Sequence, residues 1–303
     1  MQVNQIWLTC FFLAQSLGKD KFLKLQRNFF TGANDRCFSD SNKKIFEADM
    51  IEVKNLTKIF QQKNGSDLLA VNNVSFEANK GEIVVLLGVN GAGKTTTMRL
   101  LSTVLQPNSG SATIEGYDVI KSAQKVRANL GFLSGDTGLY GRLTAREIIT
   151  YFGRLYDVDD LTIQNRLKNL ADLLDMHAFL DKKIDMLSTG MKQKVSIARS
   201  IIHDPPVMIF DEPTSGLDIL TAKNIIDFIH KCKDDGKCVL FSTHIMREAE
   251  RIADKIVMIH QGKVLAAGSW QDLQVETNKR DLDDIFIHYV EQQKLEEGEI
   301  DES

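Results

Sequence analysis

The apolar positions of this chain follow two periods. Short runs of strand length recur from Met50 onward: Ile51-Glu52-Val53, Val71 to Phe76, Ile83 to Leu87, Val207 to Phe210 and Cys238 to Phe241. The first two are joined by a polar turn around Asn64-Gly65-Ser66-Asp67. Ser111 to Ile114 reads as a further short strand that leaves through a bend at Glu115-Gly116-Tyr117. Ile256 to Ile259, Gln261-Gly262 and Lys263 to Ala266 read as a hairpin. From about Leu130 the character turns helical. Thr144-Ala145-Arg146-Glu147 is a capping box, and Ile148, Tyr151, Phe152 and Leu155 follow it at helical spacing. Ile163, Leu167, Leu170 and Leu174 form a second stripe. A third helix opens at Leu187-Ser188-Thr189-Gly190 and carries Met191, Val195, Ala198 and Ile202 on one face, until Asp204-Pro205-Pro206 stops it. Strands alternating with helices predict an α/β fold with a parallel sheet.

Both ends of the chain depart from these patterns. Residues 1 to about 48 mix apolar and basic residues without clean period and read as an extension or an over-called start, so the functional domain is expected over 49–275. Residues 276–303 read as a helix (Leu282, Ile285, Phe286, Tyr289) followed by an acidic tail from Glu296 to Glu302. Of 303 residues, 43% are hydrophobic and 26% charged, which is ordinary for a globular protein. A formal net charge of −4 gives no electrostatic case for nucleic acid as a partner. The four cysteines, Cys10, Cys37, Cys232 and Cys238, make no C-x-x-C and read as free thiols. No run approaches the roughly 20 apolar residues that span a bilayer.

Chemistry enters at Gly88-Val89-Asn90-Gly91-Ala92-Gly93-Lys94-Thr95, which fits G-x-x-x-x-G-K-[ST]. A strand precedes it, and Thr95, Thr96 and the residues after them read as a helix. Glycines let the backbone turn so that its N–H groups converge on phosphate oxygens, and the helix start adds partial positive charge. Lys94 would reach the β- and γ-phosphates, and the Thr95 hydroxyl would ligate Mg²⁺.

Two more strands end in polar groups. In an open α/β sheet the carboxyl ends of the strands are where ligands bind. Asp211 follows four apolar residues, the position of a carboxylate that holds a nucleotide's Mg²⁺. Glu212 beside it would polarise an attacking water. His244 follows the strand that begins at Cys238 and would donate to a γ-phosphate. Each also has a plain structural reading, a solvated turn for the carboxylates and a satisfied hydrogen bond for the histidine. Phe60, at the end of the first strand, is either core or a stacking partner for a purine ring.

With these residues in register the stretch from about Met50 to Trp270 resembles the nucleotide-binding subunit of an ABC transporter. That resemblance implies a P-loop NTPase (RecA-like) core with an antiparallel β subdomain and an inserted helical subdomain at about 132–205. It implies that Phe60 is the adenine-stacking aromatic, that Leu187 to Met191 is the signature, that Ser215-Gly216-Leu217-Asp218 joins two protomers, and that His244 is the switch histidine. It further implies ATP and Mg²⁺, a head-to-tail homodimer or heterodimer in which Ser188 and Gly190 grip the nucleotide of the opposite chain, and a polytopic permease subunit at the cytoplasmic face of the membrane.

Two departures bear on activity. At the junction into the helical subdomain, Gly131 to Asp136 has Gly135 where the family has glutamine, and Asp136 is a candidate substitute. In the signature, Thr189 and Met191 replace glycine and glutamine. The loop from Gly131 to Tyr140 is similar to that of ATPase subunits of bacterial sodium-extrusion exporters. The leading expectation is an ATPase that energises export. The rivals are a soluble ATPase acting on ribosomes or nucleic acid, and a cassette that binds ATP and gates without hydrolysis.

Overall fold

The computed structural model describes residues 49–62, 65–135, 138–296 and 298. The expected N-terminal extension, most of the acidic tail and Asp136 lie outside the described residues.

Two sheets pack on one of two hydrophobic cores. The first is antiparallel, in the order β2-β1-β4-β5, from β1 (Ile51–Gln61), β2 (Asp67–Ala78), β4 (Ser109–Ile114) and β5 (Tyr117–Asp118). The second has the order β10-β9-β3-β8-β7-β6, from β3 (Ile83–Leu87), β6 (Leu130–Leu133), β7 (Val207–Asp211), β8 (Cys238–Thr243), β9 (Lys255–His260) and β10 (Lys263–Gly268). Its strands run parallel except β10, which returns antiparallel to β9 as a hairpin.

Every residue of β3, β7 and β8 is buried, as expected of a parallel sheet covered on both faces. Successive side chains alternate between two cores. Val84 and Leu86, with Ile209, Leu240 and Val257, face the antiparallel sheet and helix α1 (Lys94–Leu101). Ile83, Val85 and Leu87, with Phe210, Phe241 and Met258, face the other way.

That second core receives the remaining long helices. They are α3 (Ala145–Leu155), α4 (Asp160–Leu173), α5 (Thr189–Ile201), α6 (Ile219–Asp234), α7 (Met246–Ile252), α8 (Trp270–Thr277) and α9 (Leu282–Glu296); the short α2 (Ala123–Ala128) lies beside the first core through Val126. The stripes read from the sequence are the faces that pack: Ile148, Ile163, Leu167 and Leu174 are buried together. Gly153 lets α3 approach α4, since a Cβ there would stand 2.7 Å from the Ile163 side chain. The capping box at Thr144 is made in both directions.

One sequence expectation fails. Leu130–Leu133 is not the start of helical structure but the edge strand β6, paired parallel to β7. Four residues are too few to show a period, and pairing with a strand some 75 positions away decides the outcome. The helical insertion therefore begins after this strand. Among the described residues no helix is long and apolar enough to cross a membrane.

Candidate nucleotide site

The phosphate loop joins β3 to α1 at the carboxyl edge of the large sheet. Gly88 and Gly93 are sterically required. A Cβ on Gly88 would lie 2.2 Å from the Ile259 carbonyl oxygen, and one on Gly93 2.5 Å from that of Ala70. Gly93 also has φ 105°, a left-handed conformation at the cap of α1. The first-turn N–H groups of α1, those of Lys94, Thr95 and Thr96, lie at the end of the helix that attracts anions.

Lys94 is 4% exposed, and its ammonium is aimed by three oxygens. Nζ donates to Gly88 O at 2.7 Å and Val89 O at 3.2 Å, and stands 3.4 Å from Glu212 Oε1. The cation is thus fixed beside the loop rather than left to sample solvent.

Asp211 ends β7 and is nearly buried. Its Oδ1 accepts from Thr95 Oγ1 at 3.1 Å and from Ser242 Oγ at 2.7 Å. Ser242 in turn accepts from the backbone N–H of Glu212 at 3.0 Å. One wholly buried hydroxyl therefore ties both carboxylate positions to the neighbouring strand β8. Glu212 has φ 47°, a left-handed conformation that costs a side-chain-bearing residue about 1–3 kcal/mol and persists where the surroundings enforce it. The conformation turns its carboxylate toward Lys94 and His244. His244 Nδ1 is 3.2 Å from Glu212 Oε1, without the alignment of a hydrogen bond.

A cleft of about 460 Å³ opens over this edge, within the range of small-ligand sites. Asn90 to Thr96 and Glu212 line its polar end, and Phe60, Leu68, Leu69 and Ala70 line an apolar wall. Phe60 is half-buried, with Lys58 Nζ 5.3 Å from its ring centroid, so of the two readings offered for it the structure places it on the cleft.

Thr95 Oγ1 and Asp211 Oδ1 supply two adjacent hard oxygens, a donor set that fits Mg²⁺, which takes one or two protein oxygens and leaves its other positions to phosphate and water. Among the described residues no group of three or more His, Cys, Asp or Glu is placed to hold a metal alone.

Ser188, Gly190 and Asp218 are not among the cleft-lining residues. Ser188 caps α5, its side chain accepting from Met191 N. Asp218 caps α6, accepting from the N–H groups of Leu220 and Thr221 and from the Thr221 hydroxyl, which together hold its carboxyl below the usual range. Gly190 packs directly on Thr221, so the two helix starts form one surface. Gln193 fastens that surface to the cleft edge by donating to Pro213 O at 2.8 Å.

Sequence reasoning gave no role to Ser242, Gln193 or the Gln261-Gly262 turn that also lines the cleft. Ser242 carried the one available signal, a hydroxyl directly after an apolar strand run.

Comparison with known proteins agrees with this geometry. The model of the ABC transporter family matches residues 71–215. The ABC transporter ATP-binding protein NatA of Bacillus subtilis is 41% identical over 239 residues, covering 78% of this chain and 97% of that protein. The chain belongs to the ABC transporter family. A solved ATP-binding subunit of an ABC transporter superposes with a TM-score of 0.72 at 30% identity, covering 80% of this chain and 99% of the other. A cassette solved as a dimer in a post-hydrolysis state with ADP and Pi superposes at 0.66 and 26% identity, covering 73% and 98%. This chain is accordingly an ATP-binding cassette of the P-loop NTPase fold and an ATPase.

Proposed function

We propose that this chain is the motor subunit of an exporter, hydrolysing ATP at the cytoplasmic face of the membrane beneath separate polytopic permease subunits. The observation that carries the reading is the convergence of Lys94, Glu212 and His244 on one cleft edge, with Asp211 tied to Thr95 and Ser242 beside them.

The chemistry follows from these groups. The loop amides and Lys94 bind the phosphates and offset their charge. Thr95 and Asp211 hold Mg²⁺, which supplies further charge neutralisation when bound. Glu212 takes a proton from the attacking water as its oxygen bonds to the γ-phosphorus and the bond to the ADP oxygen breaks. His244, beside that carboxylate, orients the reacting group. Phe60 stacks on the base.

The surface formed by the starts of α5 and α6 is the second half of the proposal. Ser188, Gly190 and Asp218 lie outside their own chain's cleft and present a helix N-terminus, the place where an anion binds. Two cassettes facing each other would bring that surface to the partner's nucleotide. Sodium ions are the cargo we assign, on the likeness of the Gly131 to Tyr140 loop to sodium exporters. The replacements Gly135, Thr189 and Met191 favour the gate as second reading.

Glu212→Gln separates the readings. For a motor, phosphate release falls about 100- to 10,000-fold while ATP binding persists and a dimer accumulates on a sizing column. A gate would show no turnover in the wild-type protein either. ATP-driven sodium uptake into inverted vesicles, whose cytoplasmic face is outward, tests the cargo; uptake no greater than in vesicles carrying the Glu212→Gln complex would overturn it.

A further inference from the structure

The phosphate loop rests on a turn that is braced from the far end of the chain. Gln261 and Gly262 connect β9 to β10, both with positive φ (46° and 77°), the two-residue turn that suits a twisted hairpin. This turn touches the loop at successive points. Ile259 O fills the space that a Gly88 Cβ would need. Gly262 N donates to Ala92 O at 2.9 Å, while Gly262 O accepts from Asn72 N of β2 at 2.8 Å, which fastens the turn to the antiparallel sheet. Gly262 Cα would lie 3.3 Å from a Cβ on Gly93. The loop's curvature therefore copies the position of the hairpin turn.

His260, the residue that enters the turn, is held by α9. Its Nδ1 lies 3.0 Å from Gln293 Oε1, and Phe286 meets its ring edge-on at 6.4 Å between centroids. Gln293 is 8% exposed, so the pair lies in a place where a lost partner is not replaced freely by water. The helix that carries Gln293 is itself anchored. Leu282 and Ile285 are wholly buried, Phe286 and Tyr289 nearly so, and Leu282 N donates to Glu250 Oε1 at 3.2 Å. No residue of α9 lines the cleft.

We infer that His260 and Gln293 are positioning residues for nucleotide binding, through which the C-terminal helix α9 sets the seat of the phosphate loop. The inference rests on the cleft being the ATP site. It makes α9 a control point: a change that moves the helix alters ATP affinity without touching the nucleotide.

The test is titration of full-length protein with a fluorescent ATP analogue, alongside turnover at saturating ATP and thermal unfolding. Gln293→Leu removes the acceptor and is expected to weaken binding about 3- to 10-fold, the size of one buried hydrogen bond. Turnover at saturation should stay within about twofold, because Lys94, Asp211 and Glu212 are unchanged. Gln293→Glu keeps an acceptor at the same reach and should bind within about twofold of wild type. Combined with His260→Ala, Gln293→Leu should add no further loss of nucleotide affinity, since the His260–Gln293 contact is already gone in either single variant. Should Gln293→Leu fail to fold, His260→Ala and Gln293→Glu give the same contrast. Wild-type protein that binds no analogue would refute the site itself. Wild-type binding with Gln293→Leu and His260→Ala equal to it, or a lowered melting temperature with unchanged affinity, would overturn the brace alone.

Discussion

The cleft edge and the surface at the starts of α5 and α6 are built from similar parts and finished to different degrees. At the cleft edge each polar group has a partner remote in sequence: Lys94 has Glu212 besides the carbonyls of its own loop, Thr95 has Asp211, and Asp211 has Ser242. At the helix starts each cap is satisfied within its own turn: Ser188 by Met191, Asp218 by Leu220 and Thr221. Apolar residues around these caps stand in the open. Ile219 is 86% exposed, Leu220 79% and Met186 73%. A site that works inside one fold is cross-braced by that fold. The surface that caps itself and leaves apolar residues uncovered is the one we propose a partner cassette covers.

The comparison breaks first at the cleft. Lys94→Ala removes the buried cation and leaves Glu212 without its nearest positive charge. ATP turnover should fall about 1,000-fold, with nucleotide binding lost in parallel. Turnover within about tenfold of wild type would show that the loop amides suffice. Gly88→Ala attacks the same edge through shape. Its Cβ would enter the space of the Ile259 carbonyl oxygen, a backbone atom with little room to yield. Displacement of the loop by even 1 Å should lower kcat/KM about 100-fold. A crystal structure of the variant should show the β9–β10 turn pushed away from the loop.

The exposed surface responds differently. Leu220→Asp places a charge where the proposed partner cassette packs, outside the cleft. Single-chain nucleotide affinity should be unchanged, whereas turnover should drop about tenfold and recover as protein concentration rises. Sizing of Glu212→Gln with ATP, with and without this second change, checks the cause. An undiminished dimer would remove Leu220 from the interface.

How much of this was legible in the chain depends on the distance over which each feature is decided. The phosphate loop was readable because Gly88 to Thr95 are contiguous and their spacing is the chemistry. Asp211 and His244 were readable because an apolar run that ends in a polar residue marks a strand tip. Ser242 also ends an apolar run, yet its role stayed hidden because that role comes from register: β7 and β8 pair Asp211 with Ser242, and no local pattern encodes that pairing. Strand β6 was misread for the same reason, four residues whose state is set by β7. The support of Gly88 by Ile259, and of His260 by Gln293, likewise exists only once β9 and α9 are docked.

The smallest effect lies in the helical insertion, away from both surfaces. Thr144 accepts from Glu147 N at 3.1 Å while Glu147 Oε2 accepts from Thr144 N at 2.9 Å, so two N–H groups of the helix start are satisfied reciprocally. Thr144→Ala removes the hydroxyl half and should cost about 1 kcal/mol. For a domain of this size that is a melting shift of about 2–4 °C. The cap lies in the insertion, and no hydrogen bond of Thr144 reaches Lys94, Asp211 or Glu212, so ATP affinity should hold. Stability and affinity falling together would mean that α3 and the cleft edge are one mechanical unit, and would set the insertion with the braced region rather than with the open one.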